Sequence, residues 1–205
     1  DEERVLARCL AAVGGGEGLE VVVADGGSCD ATRDLAALAG VRVVMGPRGR
    51  GPQLNAGASA TTAPKLLFVH ADCELPTGWR PVLRRALDDP RTALACFRLH
   101  TVRSGEARRP GPRGLWLRGL DLRSFLPLLP YGDQGFGVRR ELFEALGGFP
   151  EIPLMEDLAF ARACRRRGRI RRLPLAMRTT ARRFEGAPLA ARLKTLSFPW
   201  LFRLG

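Results

Sequence analysis

Residues 19–28, LEVVVADGGS, decide the fold that the sequence predicts. Leu19 to Ala24 form a short apolar run typical of a buried strand, and the run stops at Asp25-Gly26-Gly27-Ser28. From Asp30 to Ala39 the apolar residues return at helical spacing. A strand, a glycine turn and a helix in this order are typical of one unit of an α/β domain.

The same alternation continues on both sides of this unit. Short apolar runs predict further strands at Val41–Met45 and Lys65–Val69, and helical spacing predicts helices at 1–13, 53–60, 79–87, 141–146 and 157–164. Short, nearly continuous apolar strands alternating with helices indicate an α/β domain with a mainly parallel central sheet flanked by helices. A chain of 205 residues fits a single domain.

The charge and the cysteines limit the class of protein. The net charge of +12 favours phosphate-bearing small molecules, an anionic membrane surface or nucleic acid. We expect no nucleic acid, because the basic residues are scattered or grouped at Arg165–Arg172 without interleaved aromatic residues. The five cysteines never form a CxxC pair, which argues against a zinc site or a disulfide framework and predicts a reducing, cytoplasmic location.

Ionisable residues follow two of the predicted strands. Asp25 ends the first, and the stretch FVHADCELP (68–76) places His70, Asp72 and Glu74 after another. Ligands of α/β sheets gather at the carboxyl ends of strands, and a carboxylate there can hold a divalent cation against a diphosphate. The alternative for FVHADCELP is a strand end that simply reaches solvent.

Two later groups allow a functional and a structural interpretation. Glu156-Asp157 begins a predicted helix, either as a general base or as an acidic pair that complements the helix dipole. Arg182-Arg183 is either surface charge or a clamp for phosphate oxygens, which guanidinium groups bind bidentately.

Together these segments resemble glycosyltransferase family 2, whose members have the Rossmann-like GT-A fold. The resemblance rests on VVVADGGSCDAT (21–32), RGRGPQLNAGASA (48–60), FVHADCELP and MED (155–157), in the family's order and spacing. YGDQG (131–135), GGFPEIPLMED (147–157) and ARRF (181–184) resemble more closely a bacterial subgroup of this family that is associated with radical-SAM and selenodomain neighbours.

The resemblance implies an inverting transferase that moves a sugar from a nucleotide-sugar donor to a hydroxyl acceptor with the help of Mg²⁺ or Mn²⁺. It implies Asp157 as the general base with Glu156 beside it, and Asp72 as the metal ligand. The implied nucleotide and donor residues are Asp25, Gly27, Arg48, Arg50, Asn55, His70, Ala71 and Asp72. Asp133 and Gln134 would face the sugar or acceptor, and Arg182 and Arg183 would lie near the leaving diphosphate.

The sequence departs from the family pattern at two places. We expect the family's opening strand to be missing, because the sequence begins with a predicted helix that follows this strand in the family; either the sequence is a truncated piece or another element substitutes for the strand. His70 stands where the family has the first aspartate of its DxD motif, so a structural or donor-contacting role is expected for it. Within one domain we expect a nucleotide-binding half at 1–100, an acceptor and catalytic half at 101–185 and an apolar, basic tail at 186–205.

Other functions stay open at this point. A sugar-nucleotidyltransferase also uses a nucleotide-binding sheet and metal carboxylates, although YGDQG and MED do not suit it. A non-catalytic module that binds nucleic acid or a membrane surface is the other alternative. The apolar stretches at Leu115–Leu129 and in the tail predict either core packing or a peripheral contact with the inner membrane face, which would suit a lipid-linked acceptor.

Overall fold

The computed structural model describes residues 1–102, 121 and 129–180. The helices are α1 (Leu6–Val13), α2 (Thr32–Leu38), α3 (Arg50–Ser59), α4 (Trp79–Asp88), α5 (Arg140–Ala145) and α6 (Glu156–Arg167). The strands are β1 (Val22–Asp25), β2 (Arg42–Met45), β3 (Lys65–Phe68), β4 (Cys73–Glu74), β5 (Thr92–Val102), β6 (Phe136–Arg139) and β7 (Arg169–Thr180). The predicted α/β class is confirmed, with helices on both faces of the strands.

The prediction of a mainly parallel sheet is wrong. β1 and β2 form a parallel pair, but the other strands form a mixed sheet of order β3-β6-β5-β7-β4. In that sheet only β5 and β7 are parallel, and the pairs β3–β6, β5–β6 and β4–β7 are antiparallel. The apolar runs identified the early strands, whereas β6 and β7 contain glycine, proline or arginine and gave no such signal.

Two cores lie on opposite faces of the mixed sheet, because successive side chains of a strand point to opposite faces. In β5, Leu94 and Cys96 belong to the core beneath α3, α5 and α6, whereas Ala95 and Phe97 belong to the core beneath α1 and α4. The first core is built from phenylalanine rings, and the rings of Phe149 and Phe160 lie 4.3 Å apart. Ring packing of this kind anchors the segments that carry them.

A groove separates the two sheets. Among the described residues β1 pairs only with β2 and β3 only with β6, and both β1 and β3 line one cavity of about 1160 Å³. Side chains of α1, α3 and α4 also line it. Within the described ranges no strand lies between β1 and β3. None of the helices described is both long and apolar enough to cross a membrane.

Candidate active site

The turn after β1 is organised around the buried carboxylate of Asp25, which is only 4% exposed. One of its oxygens accepts the backbone N–H groups of Gly27 and Ser28, both at 2.8 Å, and the other accepts the Ser28 hydroxyl. Burial raises the pKa of Asp25, but the hydrogen bonds from Ser28 and Gly27 outweigh it and hold the pKa below its ordinary value. Gly27 has φ +96°, which favours glycine there. Asp25 is therefore an ionised acceptor fixed at the end of β1.

Most of the residues predicted to bind the donor line the large cavity. These are Asp25, Gly27, Arg48, Arg50, His70, Ala71 and Asp72. Arg48 and Arg50 are exposed at its rim, where their guanidinium groups can reach phosphate oxygens. The cavity thus combines cationic groups at its edge with the carboxylates of Asp25 and Asp72, a set that suits a nucleoside diphosphate and a cation.

The strand end at 68–76 brings Asp72 to this cavity. β3 ends at Phe68, and His70 and Asp72 follow as half-buried residues while Cys73 turns inward. The Cys73 Sγ lies 3.7 Å from Asp72 Oδ1 and 3.7 Å from the carbonyl oxygen of Asp133. Burial first, and then the Asp72 charge, raise the pKa of the Cys73 thiol, so Cys73 is neutral.

Asp72 can supply the carboxylate ligand that a divalent cation needs. No group of three or more histidine, cysteine and acidic residues within the described ranges could hold a metal ion by itself. A catalytic Mg²⁺, however, commonly takes only one or two protein carboxylates and completes its shell with water and substrate phosphates. Asp72 lines the cavity and offers one such carboxylate.

The two predicted catalytic carboxylates begin α6 and differ in their surroundings. Glu156 is 2% exposed and its Oε1 lies 3.9 Å from Arg50 Nη1. Asp157 is half-buried, and its Oδ2 accepts the backbone N–H of Gly132 at 2.8 Å while its Oδ1 accepts the N–H of Leu158 at 2.7 Å. Met155, directly before them, has φ +68°, a left-handed conformation that is rare outside glycine. Glu156 is thus buried beside the guanidinium group of Arg50, whereas Asp157 accepts hydrogen bonds from backbone N–H groups and is partly exposed.

Gly132 brings His70 and Asp157 together. A Cβ on Gly132 would lie 2.6 Å from His70 Nε2 and 3.4 Å from Asp157 Oδ2, so a larger residue at this position would require the His70 ring to shift. His70, Gly132, Glu156 and Asp157 line one small second cavity, and His70 also lines the large one. The predicted donor site and the predicted base therefore meet at His70.

The structure places two predicted residues elsewhere. Gln134 is 1% exposed; its Nε2 donates to the Phe97 carbonyl at 3.0 Å and its Oε1 accepts the Tyr131 N–H at 3.1 Å. Gln134 therefore holds the 131–135 turn from inside, while its neighbour Asp133 is half-buried. Asn55 uses both ends of its amide on the Phe149 backbone, 94 positions away, at 2.9 and 2.8 Å. Neither side chain is among those that line the large cavity.

Some predictions lie outside the described residues. These are the roles of Arg182 and Arg183, the tail at 186–205 and nearly all of the apolar stretch Leu115–Leu129.

Three supporting groups escaped the sequence interpretation. The Ser28 hydroxyl joins a turn that had a signal, since an aspartate commonly accepts a hydrogen bond from the backbone two residues on, as Asp25 does from Gly27. Gln53 packs so closely on Gly26 that a Cβ there would overlap its amide. The Gly132 N–H had no signal, because 25 positions of sequence separate it from Asp157.

Solved structures with a similar fold include a glucosyl-3-phosphoglycerate synthase and a mannosyltransferase. TarS of Staphylococcus aureus, residues 1–349 in complex with UDP, matches with a TM-score of 0.66 at 18% identity, covering 88% of this chain and 57% of that one. Glucosyl-3-phosphoglycerate synthase of Mycobacterium tuberculosis, in complex with Mn²⁺, UDP-glucose and phosphoglyceric acid, matches with a TM-score of 0.59 at 22% identity, covering 93% and 71%. The mannosyltransferase PcManGT of Pyrobaculum calidifontis, in complex with GDP-mannose and Mn²⁺, gives 0.53 at 20% identity, covering 78% and 47%. These similarities confirm the predicted GT-A fold.

Relatives found by sequence similarity are also named glycosyltransferases, and they align with a shorter part of the chain. The uncharacterised glycosyltransferases Mb0553 of Mycobacterium bovis and Rv0539 of M. tuberculosis are each 37% identical over 89 residues, which is 43% of this chain and 40% of the relative. The chain thus aligns with less than half the length of these curated relatives. The radical-SAM and selenodomain subgroup stays a prediction.

The family model described as glycosyl transferase family 2 matches residues 1–147, the part that contains the Asp25 turn, the α3 segment and the Asp72 strand end. With the order of these motifs and the fold both in agreement, the chain belongs to glycosyl transferase family 2.

Proposed function

We propose that this chain is an inverting glycosyltransferase that moves a sugar from a nucleoside-diphosphate donor to a hydroxyl acceptor. The observation that carries the proposal is the position of His70, which lines both the cavity of Asp25 and Asp72 and the cavity of Asp157. A donor diphosphate beside Asp72 would have its sugar directed toward that junction. Family membership favours this function over the sugar-nucleotidyltransferase and over a non-catalytic module.

The proposed donor site uses the large cavity. Asp25 is ionised and would accept hydrogen bonds from the ribose or base, and Arg48 and Arg50 would contact the phosphates. The related structures hold UDP, UDP-glucose or GDP-mannose, which supports a nucleotide-sugar donor without selecting one. Gly27 and Ala71 would allow close approach of the ligand to the backbone.

A divalent cation is proposed as cofactor, with Asp72 as its protein ligand. Mn²⁺ accompanies the donor in two of the related structures, and the Asp72 carboxylate is of the type that Mg²⁺ and Mn²⁺ prefer. When bound, the cation would neutralise charge on the departing diphosphate. His70 stays a donor-contacting or structural neighbour in this proposal.

The chemical step needs one base and one leaving group. The acceptor hydroxyl loses its proton to Asp157 as its oxygen bonds to the anomeric carbon, and the bond from that carbon to the diphosphate oxygen breaks. The attack from the opposite face inverts the anomeric configuration and releases the nucleoside diphosphate. Two backbone N–H groups orient Asp157 for this step, while Glu156 beside it stays buried against Arg50. Asp133, half-buried on the same turn as Gly132, is the proposed acceptor or sugar contact.

The acceptor is proposed only as a hydroxyl compound, and a lipid-linked one would fit a peripheral membrane contact of the apolar stretches. A cytoplasmic location, at the inner membrane face if that contact exists, belongs to this proposal, as do Arg182 and Arg183 as diphosphate contacts.

A donor panel tests the proposal. UDP-glucose, UDP-galactose, UDP-N-acetylglucosamine and GDP-mannose are titrated by calorimetry with Mn²⁺, and slow hydrolysis is followed by NMR of the released sugar. We expect one donor to bind more tightly than the others and its sugar to appear first with inverted anomeric configuration. Release with retained configuration would contradict the inverting mechanism. If the protein bound none of these donors, the proposed function would be wrong.

A further inference from the structure

We propose that Asn55 is a positioning residue for Asp157: it holds the Phe149 peptide on α3 and thereby sets the segment that carries the base. This inference rests on the proposed function, and it gives Asn55 a role other than the donor contact that the family resemblance implies. The side chain does not line the large cavity, and both ends of its amide bind the backbone of one residue, Phe149.

The hydrogen-bond pair is specific for an asparagine. Asn55 Nδ2 donates to the Phe149 carbonyl at 2.9 Å, and the Phe149 N–H donates to Asn55 Oδ1 at 2.8 Å. A side chain must offer one donor and one acceptor at fixed separation to satisfy both groups, as a primary amide does. Gly148 has φ +77°, and a Cβ there would lie 2.6 Å from Asn55 Oδ1, so the turn before Phe149 is shaped to admit this amide.

The segment from Phe149 to Asp157 is fixed at both of its ends. At the first end, the Phe149 ring is buried against Phe160 and its peptide is held by Asn55. At the other, Glu156 lies beside Arg50 and Asp157 accepts the Gly132 N–H. Arg50 and Asn55 belong to the same helix, so α3 contacts both ends of the segment.

Met155 lies within this segment in a left-handed conformation, φ +68°, directly before the two carboxylates. A non-glycine residue keeps such a conformation only where the surrounding structure imposes it. The packed Phe149 ring fixes the position of that residue, whereas the Asn55 amide holds its N–H and its carbonyl, which belong to the peptide units on either side. Loss of the amide would let these two peptide units rotate and would release the constraint that turns Glu156 and Asp157 toward their partners.

The helix also reaches the donor side. Gln53 packs on Gly26 in the turn of Asp25, and a Cβ on Gly57 would lie 3.3 Å from the Ala24 Cβ. Through α3, the Asp25 turn and the Phe149 peptide share one rigid support. Asn55 therefore relates the position of the donor to the position of the base.

The test compares Asn55→Leu and Asn55→Asp with wild type and with Val138→Ala, a fully buried change in the same core. Hydrogen–deuterium exchange is followed in peptides covering 129–136 and 147–158. We expect Asn55→Leu to speed exchange in both peptides. Val138→Ala should lower the Tm by a similar amount, but it should leave the ratio of the exchange rates of the two peptides unchanged. Faster exchange at 147–150 alone, with Gly132 unaffected, would overturn the coupling to Asp157.

Kinetics give the second readout. With the donor identified by the panel, Asn55→Leu should lower kcat by about 100-fold, which is the effect of a displacement near 1 Å. Its donor KM and its affinity for UDP should stay within about threefold of the wild-type values.

Asn55→Asp tests the hydrogen bond through pH. The ionised carboxylate cannot donate to the Phe149 carbonyl but the protonated acid can, so kcat relative to wild type should rise as the pH is lowered from 8 to 5.5. A wild-type kcat in Asn55→Leu, or a raised donor KM as its main effect, would refute the positioning role. If the wild-type protein turned over no donor, the proposed function would be wrong. The exchange experiment would still test whether Asn55 positions the segment that carries Asp157.

Discussion

Gly132 donates its backbone N–H to Asp157 Oδ2 at 2.8 Å, across 25 positions of sequence. The other carboxylate oxygen accepts the N–H of Leu158 at 2.7 Å. A carboxylate has about four lone-pair sites, so two backbone donors orient it and still leave room for a substrate hydroxyl. The pair thus ties the YGDQG turn to the helix that carries the base.

Asp157→Asn tests this arrangement. The amide oxygen can still accept the Gly132 N–H, but an amide cannot take a proton from the acceptor, so we expect kcat to fall by about 100- to 10,000-fold. UDP affinity, measured by calorimetry, should stay close to that of wild type because Asp157 does not line the large cavity.

The matched control is Glu151→Gln, which removes an exposed carboxylate from the same segment and should leave kcat unchanged. Transfer by Asp157→Asn at a rate near that of wild type would remove Asp157 from the role of base.

Removal of the cation tests Asp72. We expect EDTA to weaken UDP binding about tenfold or more, which is about 1.4 kcal/mol, and added Mn²⁺ to restore it. Asp72→Asn should bind UDP weakly with or without Mn²⁺, because the neutral amide is a poor ligand for a hard cation.

Glu74→Gln serves as the comparison, since Glu74 lies two positions further on and pairs with Arg178 at 3.5 Å. It should keep the full response to Mn²⁺. UDP isotherms that are identical with EDTA and with Mn²⁺ would contradict the metal role of Asp72.

The sequence predicted the first half of the fold better than the second. Short apolar runs predicted β1, β2 and β3 correctly, although only Asp25 of β1 and Leu66 of β3 are buried and the other residues of these strands are half-buried or exposed. β7 (RIRRLPLAMRTT) was missed, because its arginines lie on exposed or half-buried positions and a proline interrupts it. Strand direction was also missed, since pairing partners such as β3 and β6 lie about seventy positions apart.

Within the site, local geometry could be predicted and long-range contacts could not. Asp25 ends β1 and Asp72 follows β3, and both line one cavity, as the rule that ligands bind at the carboxyl ends of strands predicts. Asn55 and Gln134 belong to recognisable motifs, but the motif does not reveal that their amides bind the backbone of Phe149 and Phe97. Such partners depend on tertiary packing, which the spacing of residues along the sequence does not reveal.

Ser28→Ala tests the support of Asp25 through the pH dependence of stability. The folded-state pKa of Asp25 is below its ordinary value of 3.8, so its contribution to stability is fully present above that pH and is lost as the pH falls through the folded-state pKa. The Ser28 hydroxyl binds the charged form, so its removal should cost about 1.5 kcal/mol at pH 7 and progressively less as the pH falls through the folded-state pKa of Asp25.

Urea unfolding at a series of pH values from 7 downward measures the difference. Ser59→Ala, which changes an exposed serine at the end of α3, should show no such dependence. A cost for Ser28→Ala that does not decrease as the pH is lowered would mean that the hydroxyl does not stabilise the Asp25 charge.

Gly51→Ala should destabilise the protein, which is the opposite of the usual effect of this change within a helix. In an ordinary helix the change from glycine to alanine stabilises by up to about 1 kcal/mol. Here a Cβ on Gly51 would lie 2.5 Å from the Pro150 carbonyl oxygen and 3.7 Å from the Glu156 Cβ. Because the first of these is a backbone atom, the loop before α6 must move, and we expect a net loss of about 1 to 3 kcal/mol together with a lower kcat.

Gly57→Ala in the same helix is the comparison, because its Cβ would meet only the Ala24 Cβ at 3.3 Å, on the donor side. It should lose less stability and keep kcat closer to that of wild type. Thermal unfolding and donor hydrolysis measure both quantities. A Gly51→Ala protein more stable than wild type would show that the loop can move away from α3 without cost, and the close approach of α3 to Pro150 would then have no part in placing Asp157.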